Sequence, residues 1–544
     1  MSGNGDTFDY VIVGAGAAGA LLANRLTEDG TTTACLLEAG PADWHPFFHL
    51  PAGYIKVVFD PAFTFPFTTE PGEHTGGRRI PIPQGRVLGG STSINGLVFN
   101  RGQREDYDNW AALGNRGWVF DDVLPYFKRL ENRIGVGDDG LRGGKGELPV
   151  TDIDWKHPIT EAFIAGAQGL GIPRNPDYNG ASQEGVGYFQ RTIHRGRRMS
   201  TAATFLRAAK ARRNLDVRTR AQATALVFNG TRATGVRYAR NRNSPISEVR
   251  ARREVIVSCG AINTPKLLQL SGIGSAGLLQ KLGIPVRADL AGVGANLRDH
   301  FSIRLVARVK NISTINELSR GASLAGQVAR WLLGKPSILA LSPSLVHFFC
   351  RSGSDAKTPD LQGVFTPASY KEGYVGMLDD YPGMSCGVWQ HRPRSTGTVQ
   401  ARSLDAFEAP AVRANYLENP YDREILLRGM RLARRLLHAP ELARFQGGES
   451  LPGPRVQSDD ELLDYVHRYA VSSYHLNGTA KMGPPADPMA VVDDQLRVRG
   501  MQGLRVVDSS VMPDIPSANI AAATMMIAEK ASDMIRGRPC AGEP

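Results

Sequence analysis

The stretch FDYVIVGAGAAGALLANRL, residues 8–26, decides the fold of this 544-residue chain. Apolar residues ending at Val13 predict a buried strand, and the glycine-rich turn 14–19 leads into a helix of small residues. A second apolar strand within TACLLEAG, residues 33–40, ends at Glu38, 19 residues after Gly19. Strand, turn, helix, strand and acid in this spacing indicate a βαβ unit that binds a dinucleotide.

Each glycine of the turn has a physical role in this interpretation. Gly14 permits the tight turn, Gly16 lets the backbone approach a pyrophosphate, and Gly19 lets the helix pack against the strand. The free N–H groups at the start of the helix face the phosphates. Glu38 can accept hydrogen bonds from a ribose diol and would repel a 2′-phosphate, so NADP is disfavoured.

Length and composition narrow the class of protein. A chain of this length predicts two or three domains or one composite domain, and 42% hydrophobic and 22% charged residues are typical of a globular enzyme. The net charge of +11 favours a weak attraction to acidic partners or membrane surfaces. No long basic tract with interleaved aromatic residues is present, so we expect no nucleic-acid partner.

Cysteine usage and the lack of export signals predict a cytoplasmic protein, with membrane association as a further expectation. The five cysteines are scattered, without a CxxC pair or a His/Cys cluster of zinc-binding spacing: Cys35, Cys259, Cys350, Cys386 and Cys540. The N-terminal residues enter a strand pattern without a signal peptide, and no apolar run is long enough to span a membrane. We expect no metal and no disulfide framework.

Three other stretches raise questions that their residues alone leave open. GRVLGGSTSINGLVFNRG, residues 85–102, is either a backbone-dense loop against a flat ligand or an ordinary turn. YHLNGTAKMG, residues 474–483, contains His475, which could be a packed histidine, a metal ligand or a base. Residues 214–260 alternate as in a β-meander and end in a buried strand.

Taken together, these motifs resemble the glucose–methanol–choline (GMC) oxidoreductases along essentially the whole chain. The resemblance rests on VIVGAGAAG, GRVLGGSTSINGLVF, GAINTPKLLQLSGIG (260–274) and the late histidine and asparagine. It implies an α/β (α+β) fold in which a Rossmann-like FAD-binding domain carries a discontinuous substrate-binding domain on an antiparallel sheet, as in p-hydroxybenzoate hydroxylase. FAD-binding parts would span residues 1–155, 211–300 and 471–544, and substrate-binding parts residues 156–210 and 301–470.

The resemblance also implies the site residues. FAD would contact Gly14, Gly16, Ala17, Ala18, Gly19, Glu38, Ala39, Gly89, Gly90, Ser91, Asn95, Gly96, Leu97, Val98, Ala223, Asp508 and Asn519. His475 would be the catalytic base, and Asn519, 44 residues later, would orient the substrate oxygen. Leu476 stands where the family usually has proline, and no histidine occurs between 89 and 99, so noncovalent FAD is expected.

The implied activity is FAD-dependent oxidation of an alcohol. The substrate would be a primary alcohol, a polyol or a sugar; the stretch NPDYNGASQEGVGYFQRTI, residues 175–193, resembles sorbose dehydrogenases, and the chain otherwise looks similar to choline and alkanol dehydrogenases. A base removes the hydroxyl proton while hydride passes to flavin N5, and electrons pass to a quinone, a dye-like acceptor or O2.

Several other activities compete with this interpretation. The first alternative is an alcohol oxidase that uses O2, and the alternative from another class is a hydroxynitrile lyase, which shares the fold and needs a base but no hydride geometry. A nicotinamide-dependent dehydrogenase is supported only by the GxGxxG region. A serine hydrolase is disfavoured because the sequence contains no GxSxG motif. Neither the particular alcohol nor the oligomeric state follows from the sequence.

Overall fold

The computed structural model describes residues 6–138, 140–371 and 377–539, so Cys540 lies outside the described residues. The strands are β1 Thr7–Val13, β2 Ala34–Leu37, β3 Thr64–Phe65, β4 Gln84–Gly85, β5 Glu131–Ile134, β6 Leu148–Thr151, β7 Gly185–Tyr188, β8 Ile193–His194, β9 Arg197–Arg198, β10 Leu215–Arg218, β11 Gln222–Asn229, β12 Arg232–Ala239, β13 Ser247–Val257, β14 Ile273–Gly274, β15 Ala288–Asp289, β16 Phe301–Val309, β17 Val346–Cys350, β18 Leu361–Thr366, β19 Gly383–Gln390, β20 Thr398–Gln400, β21 Ala411–Arg413, β22 Gln446–Leu451, β23 Val471–Ser472 and β24 Leu504–Val506. The helices are α1 Gly19–Leu26, α2 Tyr54–Val57, α3 Arg104–Ala112, α4 Phe120–Leu130, α5 Pro158–Gly169, α6 Arg207–Ala209, α7 Gly260–Leu270, α8 Ala276–Lys281, α9 Ile315–Leu318, α10 Gly321–Leu332, α11 Pro420–Leu437, α12 Asp459–Tyr469 and α13 Ala521–Arg536.

The first sheet is built around β1. Parallel pairing runs from β10 through β2, β1 and β13 to β24, and Val11 faces Cys35 on one side and Val255 on the other. The last four residues of β1 are buried, as expected of a central strand with a parallel neighbour on each side. The carboxyl ends of the parallel strands meet at one edge, which is where ligands bind in open α/β sheets.

The expected β-meander is partly wrong. Strands β11, β12 and β13 are antiparallel neighbours, as the alternation predicts. Strand β10, however, lies at the far edge of the sheet and pairs in parallel with β2. Alternation of apolar and polar residues predicts a strand but does not determine its partner, so the sequence could not separate β10 from the hairpin that follows it.

The second sheet is antiparallel, in the order β22, β16, β19, β18, β17, β7, with β23 paired to the start of β16. Helix α11 packs on one face, where Leu426 and Met430 share a buried cluster with Val388 of β19. The expected combination of a Rossmann-like sheet and an antiparallel substrate sheet is confirmed. The boundaries of the five domain segments stay predictions.

Helices α1, α4 and α13 pack together next to the first sheet. Among them the Arg25 guanidinium donates to the buried Glu529 carboxylate at 2.6 Å, an ion pair that joins the first helix of the chain to the last. Within the described residues, no helix combines the length and the apolar character that crossing a bilayer requires.

Candidate active site

A cavity of about 380 Å³ lies between the two sheets and brings distant segments together. From the sequence-based set it is lined by Gly14, Gly16, Ala17, Ala18, Glu38, Ala39, Gly90, Ser91, Asn95, Gly96, Leu97, Val98, Ala223, His475, Asp508 and Asn519. Gly19 and Gly89 do not line it; they lie behind its wall. The cavity runs from the carboxyl ends of β1 and β2, the nucleotide end, to His475 and Asn519, the reaction end.

At the nucleotide end two glycine loops touch each other. A Cβ on Gly90 would lie 2.7 Å from the Cα of Gly16, so a side chain there would push the loops apart. The start of α1 packs closely against the turn at Gly14. A Cβ on Gly19 would lie only 1.8 Å from the Gly14 carbonyl oxygen. Gly16, Ala17 and Ala18 lead into α1 and line the cavity, and the free N–H groups at a helix start suit a pyrophosphate.

Glu38 directly follows β2 and is buried. Its Oε2 accepts the Ala15 N–H at 3.0 Å and its Oε1 accepts the Gly40 N–H at 2.8 Å. Burial raises the pKa of this carboxyl to about 7. A carboxylate oxygen can accept more than one hydrogen bond, so acceptor capacity remains for the ribose hydroxyls of a nucleotide.

Two further groups at this end fit a polar cofactor. The hydroxyl Oγ of Ser258, buried at the end of β13 in the cavity wall, has no hydrogen-bond partner among the residues that the structure describes. Asp508 accepts the Gly260 N–H and the Thr264 hydroxyl, which fixes the start of α7, and burial raises the pKa of its carboxyl. An unpaired buried hydroxyl beside glycine loops is the arrangement that a bound dinucleotide would complete.

At the reaction end, His475 is only 8% exposed and is held from both its backbone and its ring. Its backbone N–H donates to Asp299 Oδ1 at 2.7 Å, and the other oxygen of Asp299 accepts the hydroxyls of Tyr416 and Ser472, both at 2.5 Å. Tyr474, directly before it, has a left-handed φ of 63°, which costs a non-glycine residue energy. The Asp299 network holds the loop in this conformation.

The ring nitrogens of His475 have a defined protonation. His300 Nε2 lies 2.7 Å from the His391 carbonyl oxygen, which can only accept, so this nitrogen carries the proton of a neutral His300. His300 Nδ1 is then an acceptor, and His475 Nδ1, 2.9 Å away, donates to it. The lone pair of His475 is therefore on Nε2, the nitrogen that faces Asn519.

Burial keeps both imidazoles neutral. It lowers the pKa of His300 to about 4, and burial together with the nearby His300 lowers the pKa of His475 well below its usual value. At neutral pH the Nε2 lone pair is available to accept a proton.

Asn519, just before α13, completes the pair. Its Nδ2 lies 3.1 Å from His475 Nε2 and donates to it, while its Oδ1 accepts from Gln362 Nε2 at 3.2 Å. Because Gln362 donates to the oxygen, the amide is oriented with its N–H groups towards the histidine.

Sequence reasoning found His475 and Asn519 but missed three residues that position them: Asp299, His300 and Gln362. Residue 300 is 175 positions from His475, and Gln362 lies in a strand with no motif. The adjacent acid and histidine at the end of AGVGANLRDH, residues 291–300, were the available signal.

The wall next to this pair is aromatic and includes the cation Arg304. Tyr54, Tyr370 and Trp389 line it, and the Arg304 guanidinium lies 5.0 Å from the Tyr370 ring centroid. Among the described residues of the cavity wall the carboxylates are Glu38 and Asp508, both at the nucleotide end. No cluster of metal-ligating side chains is found among the described residues.

Comparison with known sequences finds one family along the chain. Sequence models described as GMC oxidoreductase match residues 8–302 and 393–528. An oxygen-dependent choline dehydrogenase of Sinorhizobium fredii is 40% identical over 97% of this chain and 96% of its own length. The protein of the same name from Staphylococcus aureus is 38% identical over 99% of this chain and 95% of its own.

Solved structures agree with the sequence comparison. Pyridoxine 4-oxidase from Mesorbium loti is similar with a TM-score of 0.88 and 29% identity, over 98% of this chain and all of that one. A fungal aryl-alcohol oxidase is similar with a TM-score of 0.85 and 25% identity, over 97% of this chain and 99% of the other.

Proposed function

This chain belongs to the GMC oxidoreductases and is an FAD-dependent oxidoreductase of alcohols, and on that premise we propose that His475 is its base and Asn519 orients the substrate. The observation that carries the proposal is the 3.1 Å contact between His475 Nε2 and Asn519 Nδ2 at the reaction end of the cavity. One side chain offers a lone pair and the other an N–H, which are the two partners that an alcohol hydroxyl needs.

The base works because it is neutral and held in one tautomer. An alcohol carbon does not give up hydride readily while its oxygen keeps a proton, so a group must accept that proton. His475 Nε2 can do so, and Nδ1–H remains bonded to His300 as charge develops on the ring. Burial excludes water that would otherwise compete for the same lone pair.

Asn519 has a different task. Its amide stays neutral, and an N–H donated to the substrate oxygen stabilises the negative charge that develops there. Gln362 holds the amide in the required orientation through its contact with Oδ1. Replacing Asn519 therefore removes orientation and charge stabilisation while the base remains.

The cofactor would be held by the residues of the nucleotide end. The backbone at Gly14, Gly16 and Gly90 suits the pyrophosphate, Glu38 the adenosine ribose, and the Ser258 hydroxyl another polar group of the cofactor. When bound, FAD supplies the acceptor of the hydride. We propose noncovalent binding, because residues 89–99 contain no histidine.

Anaerobic mixing of the purified enzyme with a panel of primary alcohols, polyols and sugars tests the proposal. We expect flavin bleaching in wild type and a loss of two to four powers of ten in its rate in His475→Ala, with flavin content unchanged. His438→Ala, which removes an exposed imidazole on the surface, is the matched control. Bleaching of His475→Ala within about threefold of wild type would mean that His475 is a packing residue.

The same panel separates the alternative class. A hydroxynitrile lyase would cleave cyanohydrins and leave its flavin oxidised with every alcohol. We propose primary alcohols as the main substrates; a sorbose-like sugar remains a member of the panel on the resemblance at 175–193.

For the acceptor we propose a quinone or dye-like compound over O2, and for the location the cytoplasm with contact to membranes. The similar choline dehydrogenases are named oxygen-dependent, so O2 is the competing acceptor. Comparing peroxide formation with dye reduction for one alcohol decides between them; equal rates would contradict the proposal.

A further inference from the structure

Large apolar side chains are exposed on segments of the chain that meet at the surface. Trp44 is 81% exposed, and Leu332 and Leu333 are 71% and 72% exposed. Phe47, Ile55, Phe59 and Val328 add to them with exposures of 37–45%. Single exposed apolar residues are ordinary, but seven of them on neighbouring segments are typical of an interaction site.

Three segments form this group, which we call the entrance surface: residues 44–59, 194–197 and 320–335. The turn Pro51–Gly53 packs against the turn Ile338–Ala340, which packs against α10. Trp331 Nε1 donates to the Gly196 carbonyl at 2.8 Å. The N–H of Arg198, next to the second segment, donates to the His49 carbonyl at 2.9 Å, so the three segments are joined.

Helix α10 lies on the surface and buries none of its own side chains. None of its residues is buried, although Val328 and Leu332 are one turn apart on the same side. Apolar side chains that are not packed against the rest of the protein can bind another molecule or a membrane.

Within its bounds the entrance surface is positively charged, and acids stand just outside them at Asp43, Asp60 and Glu317. Its exposed cations are Lys56, Arg195, Arg197, Arg320, Arg330 and Lys335. The three segments contain no aspartate or glutamate. Aromatic and aliphatic side chains ringed by lysine and arginine are the composition of surfaces that rest on anionic lipid.

We propose that the entrance surface docks on the face of an anionic bilayer, with Trp44 and Leu332 in the boundary between headgroups and acyl chains and the cations on lipid phosphates. A second copy of this chain is the main competitor for the same surface. In a two-fold dimer each copy presents the same patch, so the cations of one copy would face those of the other, and the three flanking acids are too few to pair six cations. Phosphate groups neutralise the cations, and a second copy does not.

Docking would place the cavity next to the lipid. Tyr54 and Val58 lie within the first segment, and both line the cavity. Their exposed neighbours Ile55 and Phe59 are on the outside of the same segment. A lipid-soluble alcohol or acceptor would then be concentrated at the side of the protein where this segment separates the cavity from the bilayer.

Vesicle co-sedimentation of the full-length, FAD-loaded protein tests this inference. We expect binding to phosphatidylcholine vesicles that contain phosphatidylglycerol, and about tenfold weaker binding to phosphatidylcholine alone or in high salt. The triple variant Trp44→Ser, Leu332→Ser, Leu333→Ser should bind the anionic vesicles at least about tenfold more weakly, since apolar burial is lost. Ile246→Ser with Leu404→Ser, at sites 65% exposed elsewhere, is the control and should bind like wild type.

Turnover of a water-soluble alcohol should be the same in wild type, triple variant and control, which separates a failure of docking from a failure of the proposed chemistry. No binding of wild type to anionic vesicles, or equal binding of wild type and triple variant, would overturn the inference. So would a wild-type dimer in sedimentation velocity that the triple variant abolishes, because the surface would then be covered by a second copy.

Discussion

Replacing His300 by leucine should slow the chemical step without removing the base. In the wild type His300 Nδ1 accepts the Nδ1–H of His475 at 2.9 Å, which keeps the His475 lone pair on Nε2. Leucine cannot accept a hydrogen bond. The productive tautomer of His475 then has a buried N–H without a partner, and the tautomer with its proton on Nε2, which cannot act as a base, becomes competitive.

The magnitude follows from that single lost contact. A buried donor left without a partner costs about 1–3 kcal/mol, and each 1.4 kcal/mol is a factor of ten, so flavin reduction should fall roughly 10- to 100-fold. The loss should be in the limiting rate of reduction and not in the apparent affinity for the alcohol, because His300 is on the far side of His475 from Asn519.

Anaerobic stopped-flow with one good alcohol measures both quantities. His300→Gln is the matched control: its amide oxygen can accept from His475 and its amide nitrogen can donate to the His391 carbonyl, so most of the rate should return. Flavin content and absorbance of each variant report whether the fold is intact. A His300→Leu enzyme that is fully loaded with FAD and reduces it within about threefold of the wild-type rate would refute the tautomer argument.

Three other predictions concern pH, substrate charge and the cofactor. Because burial lowers the pKa of His475, the neutral imidazole predominates at and above the pH range in which a histidine ordinarily titrates. The rate of flavin reduction should therefore be constant from about pH 6 to about pH 8 and fall only at lower pH. A fall in rate centred near the usual histidine pKa would contradict this. Arg304 places a cation in the wall of the reaction end, and the described carboxylates of the wall are at the nucleotide end. We therefore expect 3,3-dimethylbutan-1-ol to bleach the flavin about tenfold faster than choline, its positively charged isostere. Faster bleaching by choline would contradict this prediction. Acid precipitation should release the flavin into the supernatant, and flavin retained in the pellet would mean a covalent link.

The parts of this protein that are local in sequence were predictable. The dinucleotide unit is contiguous, and its turn, strand and acid have a fixed order, so residues such as Gly16 and Glu38 could be assigned to the cavity from the sequence. The paired sheets followed from the family resemblance. The partner of β10 did not, because strand pairing depends on the assembled sheet.

The reaction end was predictable only in its two motif residues. His300 and Gln362 lie on or beside strands of the second sheet, and their contacts with His475 and Asn519 span 175 and 157 residues. Nothing in an alternating strand distinguishes a glutamine that orients an amide from one that faces solvent. For the entrance surface the sequence offered only the positive net charge as a signal. Whether an apolar residue is exposed depends on the packing of the complete fold, which the sequence pattern does not give.

The two halves of the reaction end belong to different sheets. The segment before His475 pairs through Ser472 with Phe301 of the second sheet, whereas Asn519 leads into α13, which packs on α1 beside the first sheet. The 3.1 Å distance between His475 Nε2 and Asn519 Nδ2 therefore depends on how the two sheets are aligned. A tilt of one sheet on the other would lengthen this contact and the Gln362 contact to Asn519 together.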